Sequence, residues 1–362
     1  MKVLIVFSSK DIGGAEKSIT IMSHFIKKNI SDEFYLSSIG GEGEWSKWAR
    51  SIKLNPILSN PGKGNIKDMF SMWKIIKTLE PDLVYVMGLR LSLFFRILKF
   101  FYKEKFSLIH GIRWVPESNN KLDIFTRVIE KFLSSLIDGY ITNSNAAKKV
   151  LIQNCNIDKS KVFSIYNGIS AEQFRPTKKT NKRIITIANL SPRKGYIEYL
   201  KVIKKVLKRH PDAKFVFAGL DNMNGEVSKA IEINNLTKNI EYLGFLSDVK
   251  KELLASNLFV LPSLYSEGCP TSIMEAMQCG LPCIAYDICG NNELIVEGVT
   301  GLLAKKNDFE MLSEKICYLL EDKLKHNQMS RAASLRIKEN FSIKKCAESH
   351  IKILSSFAKL KN

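Results

Sequence analysis

The sequence predicts an α/β protein: two Rossmann-like, doubly wound domains facing each other across a cleft, with ligands held beyond the carboxyl ends of the strands. Three observations lead there. Short β-branched runs alternate with helical stretches along the chain. The alternation stops at a polar, lysine-rich segment, residues 171–182 with Pro176, and then starts afresh. The length of 362 residues exceeds what one core needs and suits two.

In the first half, strands are expected at residues 3–7, 34–38, 83–87, 106–110, 139–142 and 161–165. The first, Val3-Leu4-Ile5-Val6-Phe7, is apolar without alternation, as in a strand covered on both faces. Helices are expected between these strands, at 15–28, near 66–79 and at 125–137. The second half repeats the rhythm with strands at 183–188, 214–218, 240–243, 258–261 and 283–286. The resulting division is a first domain at 1–170, a linker at 171–182, a second domain at 183–342, and a last helix at 343–362. The sequence shows no internal repeat and no low-complexity tract.

Charged residues make up 25% of the chain and apolar residues 45%, which excludes a disordered protein. The formal charge of +19 is the outlier, and the excess is spread over both halves. Such a surface draws anionic membranes, nucleic acid or phosphorylated substrates, and charge alone does not choose among them. The N-terminal apolar run reads as a strand, being too short for a signal peptide. No run approaches the ~20 apolar residues of a transmembrane helix. The seven cysteines include no Cys-x-x-Cys pair, and Cys279, Cys283 and Cys289 have no histidine nearby in sequence, so reduced cytoplasmic thiols are expected rather than a zinc site.

The chemistry concentrates at Glu267-Gly268-Cys269-Pro270-Thr271-Ser272-Ile273-Met274-Glu275. An apolar run precedes it, and Cys279-Gly280-Leu281-Pro282 with a second apolar run follows, giving strand, loop, short helix, stop, strand. Pro270 suits a helix start, and Thr271 or Ser272 is expected to accept hydrogen bonds from the first backbone N–H groups. Those groups and the helix dipole favour an anion. Glu267 before the helix and Glu275 within it can accept from vicinal hydroxyls of a ribose or hexose.

This stretch resembles the Glu-x7-Glu motif of the retaining glycosyltransferases of family 4, which have the two-domain GT-B fold. The resemblance extends through Ala276-Met277, Gly280-Leu281-Pro282, Gly290-Asn291-Asn292-Glu293-Leu294-Ile295 and Gly298-Val299-Thr300-Gly301-Leu302-Leu303. It implies a first domain that binds the acceptor, a second that binds a nucleotide-sugar donor, and a last helix that crosses back onto the first. It further implies that Glu275 holds the donor ribose and that Glu267 lies beside the transferred hexose. Gly268, Cys269, Pro270, Thr271 and Ser272 fall in the same donor site, with Cys269 departing from the aromatic residue common there.

Residues 184–195 form a strand and a basic turn, Ser191-Pro192-Arg193-Lys194-Gly195. Arg193, as a planar fork, and Lys194, as a point charge, can neutralise a diphosphate. The turn matches the donor-diphosphate motif of the family. The chain has no Asp-x-Asp, so no metal or other cofactor is expected, with Arg193 and Lys194 standing in for an ion. Gly13-Gly14-Ala15-Glu16 lacks the dinucleotide fingerprint and resembles the glycine loop of the family's first domain. His110 ends a strand where the family places a histidine facing the donor sugar. Asn143, Ser144 and Asn167 match turns at strand ends and are candidate cleft-lining residues, as is Glu16. Tyr242-Leu243-Gly244-Phe245 resembles the segment that packs on the nucleotide base, and Gly219 completes the donor-binding candidates.

Leu89 to Lys105 mixes bulky aromatics with cations, which suits either a crossover helix or a helix lying in an anionic membrane interface. The predicted activity is hexosyl transfer from a nucleotide-sugar, a UDP-sugar in the first instance, to a saccharide or lipid-linked acceptor in cell-surface polysaccharide or lipopolysaccharide synthesis. The expected location is cytoplasmic, peripheral on the inner face of the membrane. The alternatives are a GT-B sugar-nucleotide epimerase or hydrolase and, from another class, a nucleic-acid-binding protein. The last conflicts with carboxylates in the cleft and with the lack of basic–aromatic modules, so nucleic acid is not an expected partner.

Overall fold

The computed structural model describes residues 1–8, 12–29, 33–39, 41–58, 66–102, 106–116, 121–170 and 182–359. The chain forms two compact units, Met1–Gly168 with Ile343–Asn362, and Ile169–Ser342. The expected linker lies outside the described residues except for its last member, Lys182.

Unit 1 alternates β1 (Lys2–Phe7), α1 (Gly14–Asn29), β2 (Glu33–Ser38), α2 (Glu44–Ser51), β3 (Ile57–Leu58), α3 (Ile66–Leu79), β4 (Leu83–Met87), α4 (Leu89–Tyr102), β5 (Ser107–Ile112), α5 (Lys121–Leu133), β6 (Gly139–Thr142), α6 (Asn145–Gln153) and β7 (Val162–Ser164). The seven strands form one sheet in the order β3-β2-β1-β4-β5-β6-β7, with every pairing parallel. Val3 to Phe7 are all fully buried, as an unbroken apolar run at the centre of a sheet covered on both faces must be. One face packs on Ile19, Met22 and Ile26 of α1 and on Ala347, Leu354 and Phe357 of the C-terminal helix (Ile343–Lys359). Ser107 Oγ donates to the Phe357 carbonyl at 3.0 Å, fastening that helix to β5. Burying each such large apolar side chain contributes ~1.5–3 kcal/mol.

Unit 2 runs β8 (Arg183–Ile187), α7 (Tyr196–Arg209), β9 (Lys214–Ala218), α8 (Glu226–Ile233), β10 (Ile240–Tyr242), α9 (Lys250–Leu254), β11 (Leu258–Leu261), α10 (Thr271–Gln278), β12 (Cys283–Tyr286), α11 (Asn291–Leu294), β13 (Gly301–Ala304), α12 (Phe309–Glu321) and α13 (Lys323–Asn340). Its six parallel strands are ordered β10-β9-β8-β11-β12-β13. In both sheets the winding reverses direction once, between β1 and β4 and between β8 and β11, and ligands bind at such reversal points.

The strands expected from sequence are present, most within a residue or two of the expected ends. The brief α2, β3 and β13 leave no periodic signal long enough to read. The helix expected at 125–137 begins earlier, at Lys121, and gives way after Leu133 to a single 3-10 turn, Ser134–Leu136. The two serines there are weak helix formers. Among the described residues no helix is long and apolar enough to cross a membrane. All seven cysteines are free, and six are buried.

Candidate active site

At the reversal point of unit 2, the turn after β8 and the loop after β11 are knitted together. Leu264 N donates to the Arg193 carbonyl at 2.8 Å, and Arg193 Nη1 donates to the Ser266 carbonyl at 3.2 Å. The Lys194 ammonium forms an ion pair with the Glu267 carboxylate, and Arg193 Nη1 lies 3.7 Å from the same carboxylate oxygen. Gly195 makes this possible. Its φ is 68°, and a Cβ there would stand 2.3 Å from the Pro262 carbonyl oxygen, so no other residue lets the turn sit so close to β11. The loop is also seated on the one after β12: Gly290 N donates to the Glu267 carbonyl at 3.1 Å, and a Cβ on Gly290 would overlap the Gly268 oxygen at 1.2 Å.

Glu267 is only 4% exposed, yet it is surrounded by cations. Burial pushes its carboxyl up, but Lys194 and Arg193 more than compensate and hold it below the ordinary carboxylate value. For Lys194 burial is the largest influence. Together with Arg193 it outweighs the attraction of Glu267, so the ammonium sits below its ordinary value. Arg193 differs: its side chain is 39% exposed, although its Nη1 is engaged inward by Ser266 and Glu267.

Glu275 lies in α10, partly exposed. The N-terminus of that helix departs from expectation. Pro270 is the N-cap, extended at φ −62° and ψ 113°, and no side chain caps it. Thr271 and Ser272 are the first helical residues, inside the position from which a hydroxyl could cap, so neither plays the capping role expected of it. The helix start therefore keeps N–H groups without a side-chain cap beside the loop that carries Glu267. Cys269 is buried, with its sulfur 3.6 Å from that of Met274. Gly219 and Gly244, after β9 and β10, are joined by a backbone hydrogen bond of 2.8 Å, and the Tyr242 hydroxyl donates to the Gly219 carbonyl at 2.8 Å. Gly219 abuts the Ala188 carbonyl at the end of β8, and Phe245 is exposed beyond Gly244.

Unit 1 gathers its candidates differently. The Glu16 carboxylate folds back against Gly13 at the start of α1, with an oxygen 2.7 Å from where a Gly13 Cβ would be, and Gly14 is the first residue of that helix. His110 is fully buried in β5, its Nδ1 3.0 Å from Glu130 Oε1. The other Glu130 oxygen accepts from Arg96 at 2.5 Å and from the Tyr140 hydroxyl at 2.7 Å. Burial pushes the Glu130 carboxyl up, but His110, Arg96 and Tyr140 hold it down at about 2. Ser144 serves as the N-cap of α6, accepting from Ala147 N at 3.2 Å.

Asn143 and Asn167, both buried, meet at a residue that sequence reasoning did not single out. Arg113 Nη1 donates to Asn167 Oδ1 at 3.3 Å, and Asn143 Nδ2 donates to the Arg113 carbonyl at 3.3 Å. Arg113 also donates to the Tyr85 hydroxyl at 2.5 Å and lies 3.4 Å from His350 Nε2 of the C-terminal helix. Its position three residues after His110, at the end of the same strand, is the signal that could have found it. His350 is driven down to about 3 by burial and by Arg113. Among the described residues no group of three His, Cys, Asp or Glu side chains is placed to hold a metal.

A doubly wound domain with a basic turn against a buried carboxylate at its reversal point is the kind of site that handles an activated sugar, and comparison with known proteins agrees. The model described as Glycosyl transferases group 1 matches residues 169–336, and that described as Glycosyltransferase Family 4 matches residues 12–173. The protein is a glycosyltransferase of the GT-B type. The two matches together span residues 12–336, the first half matching the family 4 model, and the relatives found include bacterial glycosyltransferases. The UDP-Gal:alpha-D-GlcNAc-diphosphoundecaprenol alpha-1,3-galactosyltransferase of Escherichia coli is 27% identical over 78% of this chain and 77% of its own. The N,N'-diacetylbacillosaminyl-diphospho-undecaprenol alpha-1,3-N-acetylgalactosaminyltransferase of Campylobacter jejuni is 29% identical over 86% and 89%. Among solved structures, Anabaena Alr3699/HepE, crystallised with UDP and glucose, superposes with a TM-score of 0.84 at 20% identity over 98% of this chain and all of that one. The last likeness establishes the fold.

Proposed function

We propose that this enzyme moves a hexose from a UDP-sugar to a diphosphoundecaprenol-linked saccharide during cell-surface polysaccharide synthesis, with retention of anomeric configuration and without a metal ion. The observation that carries the reading is the Arg193–Lys194–Glu267 constellation at the reversal point of unit 2. As the glycosidic bond breaks, the departing diphosphate gains negative charge. Cations held in advance stabilise that charge more than the ground state, and they do so with little reorganisation because Glu267 already positions them. Arg193, partly exposed, offers its guanidinium to the diphosphate, and Lys194 supplies a buried point charge. The uncapped start of α10, with the Gly268-Cys269-Pro270 backbone and the Thr271 and Ser272 hydroxyls beside it, adds donors for the same anion.

Glu275 accepts from the ribose hydroxyls, and the Gly219, Gly244 and Phe245 segment takes the base. Glu267 positions the hexose and forms no covalent link. Retention follows from front-side attack by the acceptor hydroxyl, with the leaving phosphate taking its proton. Unit 1 holds the acceptor: the Gly13-Gly14 turn with Glu16, and the Asn143–Arg113–Asn167 cluster, supply its polar groups. His110, held through Nδ1 by Glu130 at the end of β5, takes the place beside the donor sugar that the family resemblance gives it. The donor base and the lipid-linked acceptor follow the Escherichia coli relative, whose name specifies both. The acceptor places the enzyme on the inner face of the cytoplasmic membrane.

The test is a transfer assay in EDTA with UDP-galactose, UDP-glucose and their N-acetyl counterparts, given a synthetic diphosphoundecaprenol-linked sugar. Transfer to the lipid, with the new linkage shown by NMR to be α like the donor, supports every part of the reading. Donor consumption without an acceptor product would instead mean a sugar-nucleotide epimerase or hydrolase. Activity that requires added divalent metal, or a β-linked product, would overturn the mechanism.

A further inference from the structure

Helix α5 is amphipathic with its faces reversed. Its buried residues are Asp123, Thr126, Ile129 and Glu130, while Leu122, Ile124, Phe125, Val128 and Phe132 are exposed, Phe132 at 72%. A crossover helix ordinarily turns its apolar stripe to the sheet. Here the inward carboxylate of Glu130 is matched by Arg96, Tyr140 and His110, so the polar face can be buried and the apolar stripe is left outside. The Arg96–Glu130 pair also makes α4 the neighbour of α5, and α4 exposes Ile97 and Phe100, the latter at 63%. Patches of this kind on a soluble surface mark interaction sites.

The charges around the patch decide what fits it. Arg90, Lys121 and Lys131 are exposed on these helices, whose only acids, Asp123 and Glu130, are both buried. A second copy of the chain placed on this face about a two-fold axis would bring like charges together. An anionic lipid surface reverses that sign and receives the apolar side chains as well.

We propose that α4 and α5 form a docking surface for an anionic lipid bilayer, with Leu122, Phe125, Phe132 and Phe100 entering the interface and Arg90, Lys121 and Lys131 meeting headgroup phosphates. The inference rests on this surface alone and does not depend on the sugar or acceptor assigned above. It has a geometric consequence: the bilayer lies against the helix layer between β4 and β6 and not against the C-terminal helix.

The experiment is sedimentation of the full chain with vesicles of phosphatidylcholine alone or mixed with phosphatidylglycerol. The variants are the double substitutions Phe125→Ser with Phe132→Ser and Lys121→Gln with Lys131→Gln. Thermal melting serves as the control for folding, and because the four side chains are exposed, unchanged melting is expected. The wild-type chain should sediment with the anionic vesicles at low salt and much less with the neutral ones. The phenylalanine pair should weaken that binding by about tenfold or more, and the lysine pair should weaken it and flatten its salt dependence. Failure of the wild type to sediment with anionic vesicles would overturn the proposal, as would wild-type binding by the phenylalanine pair. A dimer in sedimentation velocity that the phenylalanine pair converts to monomer, without vesicle binding, would assign the face to a second copy instead.

Discussion

Each unit of this molecule buries a carboxylate against basic side chains, and the two clusters differ in how far they are closed. In unit 1 Glu130 meets Arg96 and His110, and all three are sealed from solvent. In unit 2 Glu267 meets Lys194 and Arg193, but the Arg193 side chain remains 39% exposed. The chemistry is nearly the same. What differs is whether a cation still has donors to offer outside. A closed cluster with its charges matched inside holds helices together. A cluster with one partly exposed member has the form the proposed diphosphate site needs, since the buried carboxylate fixes the position of a charge that can still meet a ligand.

The sharpest way to break the comparison is to remove one cation from each cluster. Arg96→Ala leaves Glu130 buried without its guanidinium partner and is expected to destabilise the protein by about 3–5 kcal/mol. Urea unfolding would measure this, and the turnover of the molecules that remain folded should be unchanged. Arg193→Ala should do the reverse. Transfer falls by roughly 10²–10³-fold, ~2.7–4 kcal/mol of transition-state stabilisation, while unfolding moves by only about 0.5 kcal/mol. If Arg193→Ala unfolds the protein without a specific loss of kcat, the open cluster is structural and the contrast collapses.

Glu275→Ala probes the donor site away from the ion cluster. Losing hydrogen bonds that the ribose hydroxyls donate to this carboxylate should weaken UDP binding by about 1.5–3 kcal/mol in calorimetry, with kcat at saturation affected less than KM. A variant that binds UDP as tightly as the wild type would remove Glu275 from the site.

The smallest effect sharpens the picture of unit 1 through pH. His350 is held down from 6.5 to about 3, so the folded state keeps it neutral while the unfolded chain protonates it. Its contribution is complete above 6.5 and is lost as pH falls towards 3. Between about pH 7.5 and about pH 5.5 this alone should cost ~1.4 kcal/mol of stability. Glu130, held down from 4.5 to about 2, adds a second loss only below 4.5. Urea midpoints should fall as pH drops below about 6.5 and fall more steeply once Glu130 adds its loss below 4.5, and His350→Gln should flatten the upper part. A stability that does not change down to about pH 5.5 would show that His350 is not buried neutral.

Much of the unit 2 site was legible in the sequence because its parts are local. Ser191-Pro192-Arg193-Lys194-Gly195 and the loop from Glu267 to Glu275 are each continuous, and each follows a readable strand. The meeting of the two was not legible. It depends on β8 and β11 being neighbours in a sheet although 73 residues separate Lys194 from Glu267. In unit 1 the cluster at Arg113 escaped notice for the same reason. Tyr85, Arg113, Asn167 and His350 come from four distant stretches, with 237 residues between Arg113 and His350. No spacing rule connects them.

Helix α5 shows where the boundary falls. The sequence by itself determined that residues near 125 form a helix, because the stretch falls between two strands of an alternating α/β chain. It also determined the parallel α/β class, since strands buried on both faces must be apolar throughout. Which face of α5 turns inward was decided only by the tertiary structure. Arg96, His110 and Tyr140 converge from α4, β5 and β6 on one point, and a carboxylate placed there is matched rather than stranded. Hydrophobic patterning ranks the faces of a helix by their affinity for water. It carries no information on whether charged partners wait on the other side.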